Sequence, residues 1–247
     1  MNYFQGMSTA ILERPKARSP RVHEARAGGF EAPPLANGYR LSQPEFHRRY
    51  LRMPEVKRAE LIEGIVFMGS PLSYQHGHAT KMLLTWQGNY EASTPGVCSV
   101  DGATLILDSD NEFQPDVLLR LDTSCGGKSW LEDKYLHGAP ELVAEVALSS
   151  VTQDLGNKLK VYRRHGVREY LVWQLAEQRF DWFVLRDADY TPLKPGPHGS
   201  LRSTVFPGLW LDPQALLAGD LKGVLKHLQK GLDGAEHAAF VRKLASK

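Results

Sequence analysis

Apolar positions along this chain recur in short regular blocks from Tyr39 onward. Residues 7–38 show no period and are punctuated by Gly28-Gly29 and Pro33-Pro34, which predicts an irregular arm. Ser42 with Glu45 three residues on reads as a capping box opening a helix that carries Phe46 and Tyr50 on one face. Leu61 to Met68 reads as a strand with a glycine kink. Leu72 to about Tyr90 reads as a long helix with Met82, Leu83, Trp86 and Tyr90 at helical spacing. Val97–Val100 and Ala103–Leu107 resemble a hairpin about Asp101-Gly102. Phe113–Leu121 and Glu141–Leu148 read as apolar strands separated by a loop over 122–139. Asp154 to His165 reads as a helix closed by Gly166, and Arg168–Gln174 as a strand. Further strands are expected at Arg179–Leu185, Tyr190–Leu193 and Leu201–Phe206, and helices at Leu216–Leu228 and Ala235–Leu244. This order predicts a mixed sheet with helices against it, an α/β or α+β core.

Composition narrows the function classes. The 247 residues are 42% hydrophobic and 23% charged, an ordinary globular balance with enough chain for a core without staples. The net charge of +2 gives no global nucleic-acid footprint, so an anion site has to be local. Two cysteines, Cys98 and Cys125, exclude a disulfide framework and suit a reducing, cytoplasmic compartment. No apolar run approaches the ~18 residues of a membrane span, and no secretory leader is expected. Tyr3-Phe4-Gln5-Gly6 reads as a protease-cleavage scar, with Met7 as the native start. The expected division is therefore a scar and arm over 1–38, a folded domain over 39–212 and a helical extension over 213–247.

Two carboxylates stand out. Asp116 follows Pro115 at the head of an apolar strand, and Glu145 lies inside LVAEVAL. An unpaired carboxylate in such a run costs several kcal/mol, so the sequence pairs it or uses it. Two acids on neighbouring strands repel, and a divalent cation relieves both problems, because hard ions prefer oxygen ligands. A helix after Glu145 carries Asp154, Lys158 and Tyr162 at i, i+4 and i+8 on one face, while Lys160 falls about 200° around the wheel from Lys158. Phosphoryl chemistry needs such a set: oxygens for a metal and a cation near the charged phosphorus centre. Taken singly, each residue also has a plain reading: Asp116 as a turn residue, Glu145 paired with an arginine, Lys158 solvated. His76 and His78 diverge on a helix and cannot share a metal. The five tryptophans read as core or interface rather than base-stacking platforms. Lys222, Lys226 and Lys230 form a stripe that reads as a solvated helix face or a track for phosphates.

PDVLLRL, APELVAEVALSS, the KLKVY helix and HGVREYLVW, in this order, together with AELIEGIVFMGSPLSYQHG upstream, resemble the Uma-two group of restriction-endonuclease-like proteins in the PD-(D/E)xK nuclease superfamily. The resemblance spans roughly residues 39–210. It implies a central mixed β-sheet flanked by helices, with magnesium (or manganese) at the split edge of the sheet. By position, Asp116 and Glu145 are the implied metal ligands and the Val146 carbonyl a third. The superfamily lysine two residues after the glutamate is Ala147 here. The group's lysine migrates into the following helix, at Lys158 with Lys160 as fallback. Glu60 of the ELI element is implied beside the site, holding metal through water, with Glu63 as its alternative, and His76 matches a histidine of the opening helix. Ser150 stands where the group has proline, and Gln174 where it often has an acid.

The expected function is a magnesium-dependent endonuclease acting on DNA, with Asp116, Glu145 and Lys158 as catalytic residues, and the resemblance implies a homodimer. The rival expectations are a non-catalytic nucleic-acid or protein-binding module on a nuclease fold, and an unrelated α/β interaction protein in which Asp116 and Glu145 are ion-paired.

Overall fold

A computed structural model describes residues 32–246; the expected arm therefore lies outside the described residues up to residue 31. Pro34 onward forms one compact unit. The chain enters through α1 (Gln43–Tyr50), whose Phe46 is fully buried. Ser42 stands at its N-cap but makes no capping bond, and Glu45 is drawn instead to Arg48 and Arg49. The expected capping box gives way to charge-assisted pairs on the same helix.

The single kinked strand expected over 61–68 is a hairpin of β1 (Ala59–Ile62) and β2 (Ile65–Met68). Glu63 and Gly64 both take positive φ, at 51° and 73°. That pair makes the tight turn whose twist suits a two-residue hairpin, and glycine is the residue that adopts it without strain. The long helix α2 (Tyr74–Ala92) follows, capped by Ser73 Oγ, which accepts from the His76 N–H.

Three sequence expectations fail where the chain changes sheets. β3 (Val97–Asp101) and β4 (Leu105–Asp108) do not form a hairpin; they belong to different sheets. The strand expected over 113–121 breaks into β5 (Asn111–Phe113) and β6 (Val117–Leu121), again in different sheets. Pro115 has no N–H for a ladder, and the Gln114 N–H turns away to Glu60 Oε1 at 2.9 Å. The loop expected over 122–139 contains a second hairpin, β7 (Trp130–Glu132) and β8 (Tyr135–His137).

β9 (Leu142–Ala147) leads into α3 (Val151–Gln153), a π-helical stretch over Asp154–Lys158 and α4 (Leu159–His165), which Gly166 ends in a left-handed conformation. β10 (Glu169–Gln174), β11 (Arg179–Arg186) and β12 (Asp189–Pro192) complete the large strands. Only Leu201–Arg202 (β13) of the strand expected over 201–206 pairs, with β14 (Trp210–Leu211); Ser203 Oγ accepts from the Val205 and Phe206 N–H groups and folds the rest into a turn. The expected helix 216–228 is two, α5 (Pro213–Leu217) and α6 (Leu221–Leu232), each capped by an aspartate, Asp212 and Asp220. α7 (Ala235–Ala245) ends the described chain.

One sheet runs β2-β1-β5-β4-β8-β7, and the other β12-β11-β10-β9-β6-β3. In the second, β9 and β10 are parallel and the remaining pairs antiparallel. Alternation along β9 sorts its side chains between two cores. Leu142, Ala144 and Val146 pack with α2 and the C-terminal helices, while Val143 and Ala147 pack with α4 and the first sheet. Glu145 has the parity of the second set. Trp86, Trp173 and Trp182 are buried in the first core, as structural tryptophans are expected to be, whereas Trp130 on β7 is exposed.

Candidate active site

Five segments deliver charged side chains to one point. The β5-to-β6 crossover supplies Asp116, and β9 supplies Glu145. β1 supplies Glu60, the residue before it supplies Arg58, and the π stretch ends on Lys158. A π-helical turn packs an extra residue into a helix and occurs often at functional positions. Here Asp154 and Lys158 both lie buried, and Tyr162 sits one turn on. Lys160 is exposed and points away, as the helical phase predicts. Glu63 is exposed on the hairpin turn and pairs with Arg164, leaving Glu60 as the acid of that strand at the site.

Lys158 Nζ lies 2.9 Å from Glu60 Oε2, 3.0 Å from Glu145 Oε1 and 3.5 Å from Asp154 Oδ1. Burial alone would strip its proton, but the three acids outweigh burial and hold the amine charged, above its ordinary value. Tyr162 Oη donates to Glu145 Oε1 at 3.2 Å. Burial pushes Glu145 up to about 8, against the pull of Lys158, with Asp116, Asp154 and Glu60 pushing the same way as burial. Asp116 goes the other way. Burial raises it, but a hydrogen bond from His76 and the charge of Arg58 overcome this and hold it at about 2. His76 Nε2 is 3.2 Å from Asp116 Oδ2, and the same oxygen accepts the Val146 N–H at 2.7 Å. A strand residue presents its N–H and C=O to the same side, so the Val146 carbonyl leaves β9 on the same edge as the N–H that Asp116 accepts. His78 is exposed on the opposite side of α2.

Sequence reasoning missed Arg58. Its Nη1 donates to Asp116 Oδ1 at 2.7 Å and its Nη2 to the Gln114 carbonyl at 2.6 Å, while Nη2 stands 3.7 Å from both Glu60 Oε1 and Glu145 Oε2. The available signal was the strand period: Arg58 and Glu60 are two apart and so share a face. Asp154 was seen only as a helix-face neighbour of Lys158, although its carboxylate is part of the same cluster.

These groups line a cavity of about 300 Å³. Beside it a wider cavity of about 1010 Å³ shares Arg58, Leu72, His76 and Asp116. Four carboxylates here face two permanent cations, and with Glu145 pushed up to about 8 the cluster keeps a proton at neutral pH that a further cation would release. Among the described residues, no three His, Cys, Asp or Glu side chains are grouped so as to hold a metal ion. A cation here would rest on two carboxylates, a backbone carbonyl and water. That oxygen-only donor set suits a hard ion such as magnesium or manganese.

A mixed sheet carrying helices on both faces, with acids and a lysine gathered where the chain crosses between sheets, is a nuclease-like fold. The family described as "putative restriction endonuclease" (Uma2) matches residues 44–214, and the chain belongs to that family. Among solved structures, it is similar to a "putative nuclease belonging to DUF820" from Anabaena variabilis, with a TM-score of 0.56 and 15% identity over 70% of this chain and 97% of that one. At that identity the likeness concerns the fold. No curated protein matches the chain. Among the described residues, no helix is long and apolar enough to cross a membrane.

Proposed function

We propose that this protein is a magnesium- or manganese-dependent phosphodiesterase that cuts DNA. One observation carries the reading: Asp116, Glu145 and a charged Lys158 share one solvent-open cavity whose acids outnumber its cations. A divalent cation held by Asp116, Glu145 and the Val146 carbonyl would supply Lewis-acid activation of a scissile phosphate. The remaining work falls to the chain. His76 and the Val146 N–H orient Asp116 and keep it ionised. Glu60 and Asp154 hold Lys158 in place and charged. An ammonium that is already protonated cannot take a proton, so Lys158 serves to position a phosphate oxygen or the attacking water and to offset charge that grows in the transition state. The wide neighbouring cavity gives a polymer room to approach, and two copies of the chain in a dimer would address both strands of a duplex.

The test is cleavage of supercoiled and linear DNA with magnesium, manganese or EDTA. Metal-dependent cutting that falls by about 100-fold or more in Asp116→Asn supports the reading. Cutting that is indifferent to that substitution, or to EDTA, overturns it.

A second reading draws on Arg58. Because its guanidinium contacts both Asp116 and Glu145, the acids are paired without any metal, as a non-catalytic binding module on this fold would have them. DNA binding without cleavage under every metal condition would favour that module.

A further inference from the structure

We propose that Arg58 is an exchangeable counter-ion of the Asp116–Glu145 pair, which a divalent cation must displace and which, once displaced, turns to the phosphate of the substrate. The inference rests on the metal-dependent reading of the site and adds a residue and a step to it. Its geometric basis is the position of the guanidinium. One nitrogen is 2.7 Å from an Asp116 oxygen and another 3.7 Å from a Glu145 oxygen, so the side chain fills the space between the two carboxylates that a bridging cation needs. Arg58 and a bound metal therefore compete for the same ligands.

Arg58 is also the site cation placed to leave. Its side chain remains 23% exposed, whereas that of Lys158 is 4% exposed behind three acids. It lines both the site cavity and the wider one, so a swing of its long side chain carries the guanidinium toward the side from which a polymer arrives. The strand makes room for its stem. Gly69 lies opposite Arg58, its N–H bonded to the Arg58 carbonyl at 2.9 Å, and a Cβ on Gly69 would meet the Arg58 Cβ at 2.9 Å. Any larger residue at 69 would push the arginine out of line. A planar, permanently charged fork suits both roles, since it pairs with carboxylates and with phosphate oxygens alike.

The experiment measures metal affinity on unreacted full-length protein by titration calorimetry with calcium and manganese, in wild type, Arg58→Met and Lys57→Ala. Lys57 is the exposed neighbour and reports the effect of losing one positive charge nearby without vacating the site. Removing the competitor should tighten metal binding by about tenfold or more in Arg58→Met, with little change in Lys57→Ala. A second readout covers a poorly folded variant: Arg58→Lys, which keeps charge but loses the fork, should tighten binding by a smaller factor. In thermal melts the metal-induced rise in Tm should be larger for either Arg58 variant than for wild type. The phosphate arm is read with a short DNA duplex in calcium, where Arg58→Met should bind more weakly even as it holds metal more tightly. Weaker or unchanged metal binding in Arg58→Met, or equal tightening in Lys57→Ala, overturns the exchange. Tightened metal binding alongside a wild type that never cuts DNA leaves the exchange standing and removes the nuclease reading, so the two failures are distinguishable.

Discussion

Glu145 and Glu169 sit on adjacent parallel strands, both buried, both pushed above the ordinary carboxylate range by burial, yet their surroundings differ in kind. The oxygens of Glu169 take the Ser203 hydroxyl at 2.7 Å, the Thr204 N–H at 2.6 Å and the Thr204 hydroxyl at 2.8 Å. These are neutral donors from one turn, and they tie the segment after β13 to the sheet. Glu145 instead meets an ammonium, a phenol and the edge of a guanidinium, in a cavity open to solvent. A buried acid satisfied by dipoles is a fastener. A buried acid held among unbalanced charges keeps free energy available for a further charged group. Burial alone therefore does not mark a site; the charge and openness of what surrounds the buried group do.

The largest effect expected from this contrast is at Lys158. Lys158→Met leaves Glu60, Glu145 and Asp154 buried without their cation, which should cost about 3–5 kcal/mol in stability and abolish cleavage. Adding Glu145→Gln should recover part of that stability, because one of the stranded charges is gone, while activity stays lost. Chemical denaturation of the single and double variants measures both. A Lys158→Met protein as stable as wild type would show that the acids around it are not ionised together.

Next in size, Glu169→Ala should destabilise by about 2–4 kcal/mol, since it removes the acceptor for three donors and leaves buried polar groups unpaired. At a temperature where it stays folded, its cleavage rate should match wild type. A drop in rate comparable to that of Asp116→Asn would erase the distinction between fastener and site.

The sequence carried the large elements and most of the residues that the structure gathers around the candidate site. LVAEVAL announces a buried strand with a misplaced acid, and the helix phase separates Lys158 from Lys160. What it hid was sheet membership. Phe113 to Leu121 has the apolar run of one strand, and only the pairing of Gln114 with Glu60, 54 residues away in sequence, shows that the chain crosses between sheets at Pro115. That crossing is what sets Asp116 at the cavity. Arg58 was hidden for a related reason: its partners Asp116 and Glu145 are distant in sequence, and an arginine before a strand is ordinarily a solvated residue. The Glu63-Gly64 turn was only half readable: Gly64 takes a positive φ freely, but Glu63 is not a residue that ordinarily does, so the pair reads as a kink although the strands on either side are each of ordinary length.

The pH dependence of stability gives a smaller and signed comparison. Asp116 is held at about 2 in the folded protein against about 3.9 unfolded, so the stability it contributes is present above pH 4 and lost as pH falls toward 2, by about 3 kcal/mol at most. Glu169 is raised, so the folded state binds the extra proton, and its cost to stability grows as pH rises from about 4.3 toward its folded value. Melting curves across pH should therefore show wild type losing its advantage over Asp116→Asn on acidification and losing ground to Glu169→Gln on moving upward from pH 5. Parallel curves for either pair would contradict the electrostatic environment assigned to that acid.

The finest comparison removes one hydroxyl donor from beside each glutamate with little change of shape. Tyr162→Phe deletes the donor at 3.2 Å from Glu145, and Thr204→Val deletes the donor at 2.8 Å from Glu169 while leaving the Thr204 backbone N–H bond in place. Each should lower stability by about 1 kcal/mol, the ordinary worth of one such bond. They should part company in activity. Losing the phenol removes a group that favours the ionised form of Glu145, so the acid limb of the kcat/KM profile should move to higher pH and the rate at pH 7 should fall, by about two- to tenfold. Thr204→Val should leave the profile where it is, because its glutamate faces no reacting group. Cleavage rates of both variants from pH 6 to 9, at matched fractions folded, decide the matter. An unmoved profile in Tyr162→Phe would mean that the Tyr162 hydroxyl is as purely structural as that of Thr204, and a shifted one in Thr204→Val would mean that Glu169 is coupled to the reaction.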